Sequence, residues 1–181
     1  MAEATVLMLI PGITGNSTFV GFDPEPGEEG DHTGWIPVDG CTFKFARKDT
    51  VSDAKKDEPN DAAKPATTVD PFTITRTSDY TSAEILMWLA RAGSKDAKLD
   101  EPVLIDFCHP SGRYFLRYEL SGVELVAGSL SYSHPDEAKE TLTFTYDEVT
   151  VYQRPVDEKG MVDLEAEHRT HYVVELPEGF A

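Results

Sequence analysis

The sequence predicts a mostly β domain, a β-barrel or two-sheet sandwich with one α-helix packed on its flank. Short segments of alternating apolar residues recur along the chain, and pairs of turn-forming residues separate them. One segment, residues 81–93, has helical rather than strand periodicity. With 181 residues the chain can build one domain with a substantial core, so we predict a single domain over residues 1–181.

The helix is predicted over residues 82–92. Thr81 and Glu84 have the spacing of a capping box, and Gly93 suits the left-handed position that follows many helices. Between these signals the helix is apolar almost all the way round, with Glu84 and Arg91 as its polar stripe. A helix of this kind is buried on several sides. It packs either against its own sheet and a second subunit, or in the core of a closed monomer.

The strands are predicted from apolar alternation and turn signals. They are placed at residues 5–10, 35–38, 41–47, 72–77, 102–108, 114–120, 123–132, 140–152 and 162–175. The dipeptide Asp39-Gly40 predicts a hairpin or a bulge between two of them. The segment 140–152 changes face halfway along, which predicts a bulge near Asp147 and Glu148.

The strand that begins at Cys41 has two chemically different faces. Cys41, Phe43 and Phe45 lie on one face, because side chains alternate along a strand. Thr42 and Lys44 lie on the opposite face. If the apolar face belongs to the core, Thr42 and Lys44 point away from it.

Residues 48–70 show no periodicity. A connection of this length is uncommon inside a compact domain, and it is usually functional or disordered. Two interpretations stay open: an arm that grips a neighbouring subunit, or a solvated loop. The first makes Asp53, Lys55, Lys56 and Glu58 candidates for a subunit interface.

The charge of the chain limits its partners. It has 16 basic and 33 acidic residues, a net charge of −17, which argues against binding nucleic acid or an anionic membrane. No apolar run approaches the ~20 residues of a membrane-spanning helix, and the first ten residues lack the pattern of a secretory signal. We expect synthesis in the cytoplasm, no membrane insertion, and any export by a route independent of a signal peptide.

No catalytic site, metal site or cofactor is predicted. His168 and His171 lie three apart in a predicted strand, so their rings point to opposite faces. A possible serine, histidine and aspartate triad merely flanks one turn, without a nucleophile elbow. Its members are Ser111, His109 and Asp106. The two cysteines, Cys41 and Cys108, are expected to be buried free thiols.

Several short motifs follow one another in a specific order. They are Ile-Pro-Gly-Ile-Thr-Gly-Asn-Ser at 10–17, Trp-Ile-Pro-Val at 35–38, Phe-Thr-Ile-Thr-Arg at 72–76, the helix with its preceding residues at 79–93, Tyr-Glu-Leu-Ser-Gly-Val at 118–123 and Glu-Thr-Leu-Thr-Phe at 140–144. Their order resembles the haemolysin-coregulated protein (Hcp) family, the tube proteins of bacterial type VI secretion. The chain departs from that family at Asn16, in the acidic insertion at 19–31 and in its final strand, which lacks a Gly-Trp pair.

The resemblance implies a structural protein rather than an enzyme. Members of the Hcp family form hexameric rings that stack head to tail into a hollow tube. A contracting sheath expels this tube behind a spike. The implied partners are copies of the chain itself, sheath and spike proteins, and small effector proteins in the lumen. Trp88 and Arg91 would then join the arm residues at the subunit interface, and Thr42 and Lys44 would face the lumen or the seam between subunits.

Two other classes of protein fit the same pattern. A contractile phage tail-tube protein shares this barrel and its tubular assembly, and neighbouring capsid genes would distinguish it from a secretion protein. A monomeric β-barrel that binds a small ligand is the second class. Light scattering separates such a monomer from a ring.

Overall fold

The computed structural model of the protein describes residues 5–21, 30–48, 66–91, 94, 97–134, 137–157 and 161–174. These residues form 12 strands and one helix. The strands are β1 Thr5–Leu9, β2 Ile36–Val38, β3 Gly40–Thr42, β4 Phe45–Lys48, β5 Ala66–Val69, β6 Phe72–Thr77, β7 Val103–Cys108, β8 Tyr114–Ser121, β9 Glu124–Ser131, β10 Lys139–Thr145, β11 Glu148–Gln153 and β12 His168–Val173, and the helix α1 is Ser82–Leu89. Among these residues no helix has the length and apolar character needed to cross a membrane.

Two antiparallel sheets share one core. The larger sheet has six strands in the order β12-β11-β8-β7-β1-β2, and the smaller has four in the order β3-β6-β10-β9. Strands β4 and β5 pair separately as a short ribbon. The core draws apolar residues from both large sheets and from α1. The mostly β fold with one flanking helix is confirmed, and within the described residues the two sheets do not close into a barrel.

Stacked aromatic rings hold the two sheets together near the end of β3. The Phe43 ring lies 4.2 Å from the Phe72 ring of the smaller sheet and 4.0 Å from the Tyr118 ring of the larger one. Phe72 also stacks on Phe144 at 5.9 Å. Such pairs add stabilisation beyond the burial of their area. Phe43 therefore links the sheets from the short connection between β3 and β4.

The predictions at Asp39-Gly40 and along 140–152 are both wrong, because the chain passes between the sheets at these points. Strand β2 pairs with β1, whereas β3 pairs with β6, so Asp39 is a crossing point rather than a hairpin. The segment 140–152 is likewise two strands, β10 and β11, in different sheets. Its change of face near Asp147 marks the crossing. Periodicity reports which face is buried, and it does not report which sheet a strand joins.

The helix begins at Ser82 as predicted, but its N-terminal cap and its C-terminal end differ from the prediction. Thr81 is the N-cap residue, but its side chain makes no capping hydrogen bond, so the capping box with Glu84 does not form. The Thr81 hydroxyl instead donates to Asp79 and accepts from Arg76. The helix ends at Leu89 rather than at residue 92, and Gly93 lies outside the described residues.

The side chain that competes with the cap is Arg76, which is fully buried. Its guanidinium donates to Thr81 Oγ1 over 2.7 Å and to Asp79, and its Nε lies 3.1 Å from Glu140 Oε2. Burial alone would raise the pKa of the Asp79 carboxyl, but hydrogen bonds from Thr81 and Arg76 outweigh it and lower that pKa. Arg76 thus ties β6 and β10 to the start of the helix.

Removing this guanidinium should be strongly destabilising. The substitution Arg76→Met leaves the Asp79 and Glu140 carboxylates largely buried without their cation, which costs about 3–5 kcal/mol of unfolding free energy. Urea denaturation measures the loss. The matched control is Lys139→Met, which removes a cation from a pair with Asp39 whose side chains are about half exposed, and which should change the midpoint little. Equal midpoints for the two variants would contradict this role of Arg76.

Candidate assembly interface

The helix is buried on one side only. Ile85 and Trp88 are buried, but Leu86 is 56% and Met87 60% exposed. The Trp88 indole Nε1 donates to the Ala97 carbonyl over 2.7 Å, so this candidate interface residue belongs mainly to the core. Arg91, the other candidate on the helix side, is exposed. A half-covered apolar helix is the pattern that a second packing partner would complete.

Beside the helix lies the edge strand β9. It pairs with β10 along one side, and on the other side the described residues pair with it only at Glu124, which bridges Lys98. Val126 and Leu130 are 41% and 63% exposed on this strand. A long edge with apolar side chains is a template for pairing with another chain.

Gly128 brings the helix onto this strand. A Cβ atom at Gly128 would lie 3.2 Å from the Leu89 side chain and 3.4 Å from that of Leu142. The distance to Leu89 is tighter than side chains normally make, so the absence of a side chain at Gly128 lets α1 approach β9 closely. The Leu86 side of the helix therefore lies beside the edge of β9, and we call the two together the lateral surface, with Leu86 and Leu130 as its main apolar residues.

The outer face of the smaller sheet is covered with hydroxyl groups. Cross-strand pairs align Thr73 with Thr143 and Thr75 with Thr141, and the two Oγ1 atoms of the first pair lie 3.4 Å apart. The opposite face carries Phe72, Ile74, Leu142 and Phe144, all of which are buried. The middle of the sheet therefore presents hydroxyl groups to whatever lies in front of it.

Thr42 and Lys44 belong to this hydroxyl face. Both are exposed, while Cys41 and Phe43 pack against the core, so the predicted alternation of these four residues is confirmed. Thr42 and Lys44 line a shallow hollow of about 440 Å³ together with Asp70 and the threonines of β6 and β10. That this hollow faces a lumen stays a prediction.

The predicted arm is described only at its base. Strands β4 and β5 pair antiparallel from Phe45 with Val69 to Lys48 with Ala66, so the ends of the arm form a β-ribbon. The strand at 66–69 was missed because threonine and alanine give no apolar alternation. The candidate interface residues of the arm lie outside the described residues. They are Asp53, Lys55, Lys56 and Glu58.

A buried polar cluster surrounds Asp106, and no motif in the sequence indicates it. His32 Nε2 is 2.8 Å from Asp106 Oδ2, and Arg117 donates to both Asp106 oxygens over 2.6 Å. The Cys108 sulfur lies 3.4 Å from His32 Nε2. The cluster pins the segment before β2 onto β7 and β8, because His32 also packs against the Trp35 ring at 4.5 Å.

Three groups in this cluster could reach one metal ion, but their chemistry does not favour it. Arg117 occupies both Asp106 oxygens and brings a positive charge to the same place. Burial, reinforced by the Asp106 charge, raises the pKa of the Cys108 thiol well above its usual range, so the thiolate that a metal needs is disfavoured. Asp106 therefore binds His32 and Arg117 rather than completing a triad with Ser111 and His109. The Ser111 Oγ and His109 Nδ1 atoms are 3.4 Å apart.

Comparison with known proteins gives matches to solved structures only. No protein-family model and no curated protein matches the chain. A type six secretion system protein superposes with a TM-score of 0.71 at 18% identity over 94% of this chain and 96% of its own. Hcp1 from Salmonella typhimurium gives 0.67 at 14% identity over 95% of each chain, and the secreted protein Hcp3 from Pseudomonas aeruginosa gives 0.59 at 18% over 96% and 100%. At these identities the matches show a shared fold.

Proposed function

We propose that this protein is the tube subunit of a type VI secretion system, and that it forms hexameric rings that stack head to tail into a hollow tube. The observation that carries the proposal is the likeness to Hcp structures along nearly the whole chain. The motifs that resemble that family support it independently. We further propose contacts with the sheath and spike proteins of the machine, and export without a signal peptide.

The lateral surface gives this assembly a physical basis. Leu86 and Leu130 are both more than half exposed, and a leucine side chain that becomes fully buried contributes roughly 1.5–3 kcal/mol. The unpaired side of β9 offers backbone groups to a neighbouring strand at the same place. A neighbour seated here would cover Leu86 and the edge of β9 together. We assign the closing of the ring to this surface.

Net charge opposes the association. Each chain carries −17, and the charges of neighbouring copies repel one another within the ~8–10 Å screening length of ordinary salt. Exposed ion pairs between subunits offset little of this repulsion, since each contributes ~0–1 kcal/mol. The ring therefore depends on apolar burial and on strand pairing. A charge placed inside the lateral surface should disrupt it.

The substitution Leu86→Asp tests this assignment. It buries an unpaired carboxylate in the proposed seam, so we expect rings with a central hole for the wild-type protein and isolated subunits for the variant in negative-stain electron micrographs. The side chain is exposed in the single chain, so circular dichroism should stay unchanged. The control is Thr18→Asp on an exposed loop away from the helix. Rings that persist in Leu86→Asp would place the seam elsewhere.

We propose that the hydroxyl face lines the lumen. Threonine hydroxyls hydrogen-bond to many surfaces without presenting a fixed charge, which suits a conduit for small effector proteins of differing sequence. Thr42 and Lys44 would lie on this wall. The opposite face of the sheet packs against the core.

Chemical labelling tests the lumen assignment. In assembled tubes a Thr42→Cys side chain should react with a small maleimide but poorly with a maleimide attached to a large polymer, because the wall encloses it. Thr18→Cys should react with both reagents. The unmodified protein, with its partly exposed Cys41, supplies the baseline. Equal reaction of Thr42→Cys with both reagents would put the hydroxyl face on the outside of the tube.

We propose that the arm, residues 48–70, binds a neighbouring subunit through residues such as Asp53, Lys55, Lys56 and Glu58. Its described base leaves the body of the domain as a ribbon separate from both large sheets. Deleting residues 53–64 should then raise the concentration needed for assembly while leaving the circular dichroism of the subunit intact. Sedimentation at several concentrations measures the change. An unaltered concentration dependence would show that the arm is a passive loop.

A further inference from the structure

We propose that a small apolar hairpin on one copy docks into an apolar groove on the next copy, and that this contact joins successive rings. The proposal rests on the tube assembly proposed above and names the surfaces that would connect its layers. The hairpin, which we call the tip, is described at residues 155–157 and 161–164. The groove lies between α1 and the turn that follows β1.

The tip presents apolar side chains to solvent. Beyond β11 the chain folds back on itself, with Asp157 N donating to the Met161 carbonyl and Asp163 N donating to the Pro155 carbonyl, each over 2.9 Å. Val156 is 43%, Met161 60% and Leu164 42% exposed. Apolar side chains clustered on one hairpin in this way mark an interaction site more often than scattered ones do.

The groove has the size and lining to receive such side chains. Its volume is about 470 Å³, within the range of pockets that bury a ligand. The residues that give it an apolar wall are Ile10, Pro11, Ile13, Met87, Trp88 and Leu99. Trp88 is fixed there by its hydrogen bond to Ala97, so one wall of the groove is rigid. A rigid wall lowers the entropic cost of docking.

The tip and the groove lie at opposite ends of the larger sheet. The tip follows Gln153, which pairs with Leu116, and Arg154 N donates to Phe115 at the beginning of β8. The groove residue Ile10 follows Leu9, which pairs with Leu104 at the beginning of the antiparallel strand β7. Because β7 and β8 are antiparallel neighbours, these positions are separated by the length of the strands.

A contact between opposite ends of one molecule is heterologous. It repeats from copy to copy without closing when no rotation brings the last copy back to the first. The lateral surface, which we assign to ring closure, lies instead along the β9 side of the smaller sheet. The tip and groove are therefore free to continue the assembly in the other direction, from ring to ring.

Charge favours one orientation of the tip in the groove. The exposed Arg91 lies at one end of the groove and the exposed Glu84 about two helical turns away at the other. The tip carries the exposed Asp163, and the exposed Glu165 follows the tip directly. Their attraction to Arg91 would place the acidic side of the tip at that end, away from Glu84. The match identifies a second copy of this chain as the occupant.

Disulfide trapping tests the contact. A chain with both Met161→Cys and Met87→Cys should, on mild oxidation of the assembled protein, give a ladder of covalently linked chains on a non-reducing gel. Each single variant should give no ladder, because a tip cysteine then meets no groove cysteine. Rings without a ladder in the double variant would overturn the docking proposal. A ladder without rings would support docking and overturn the proposed ring, and the loss of both would overturn both.

A charge exchange provides a second test, which probes the orientation of the tip in the groove. Arg91→Glu should lower the ladder yield of the double-cysteine chain by about tenfold, on the order of the coupling of one close charge pair. Adding Asp163→Lys to the same chain should restore it, because the attraction is then reversed rather than lost. Both positions are exposed, so the fold should not change. A ladder yield that stays the same after either substitution would contradict the proposed orientation.

Discussion

The buried guanidinium of Arg76 fixes the elements on which the proposed assembly depends. It binds Asp79 and Thr81 at the start of the helix and pairs with Glu140 on β10, so β6, β10 and α1 form one unit. The orientation of the helix follows from these contacts and from Trp88. With Ile85 and Trp88 turned inward, Leu86 and Met87 must point outward. The exposed helix surfaces that we assign to subunit contacts therefore follow from the way Arg76 and Trp88 fix the helix.

Much of the fold could be predicted from the sequence. The strand at 72–77 and the start of the helix at Ser82 appear as predicted, and Thr42 and Lys44 lie opposite the core. Strand alternation carries this information because each residue's face is decided locally. The crossings at Asp39 and Tyr146 could not be predicted in the same way, since pairing partners lie far along the chain.

The polar interior was missed for a related reason. His32 and Arg76 look like ordinary surface residues in the sequence, and only the folded chain brings Asp106 to one and Glu140 to the other. The capping box failed because a buried arginine, five residues before Thr81, competes for the same hydroxyl. Local signals of this kind are overridden when a buried charge must be satisfied. The lateral surface and the groove also depend on contacts between residues far apart in the chain. The sequence indicates these two surfaces only through the excess of apolar residues on the helix.

The central claim is that the chain closes into a ring through surfaces that the single subunit leaves uncovered. Multi-angle light scattering of the wild-type protein across a dilution series tests it most directly. We expect a mass corresponding to a hexamer of 20.0-kDa chains that persists on dilution, with larger species at high concentration. A mass of one chain at every concentration would contradict the account.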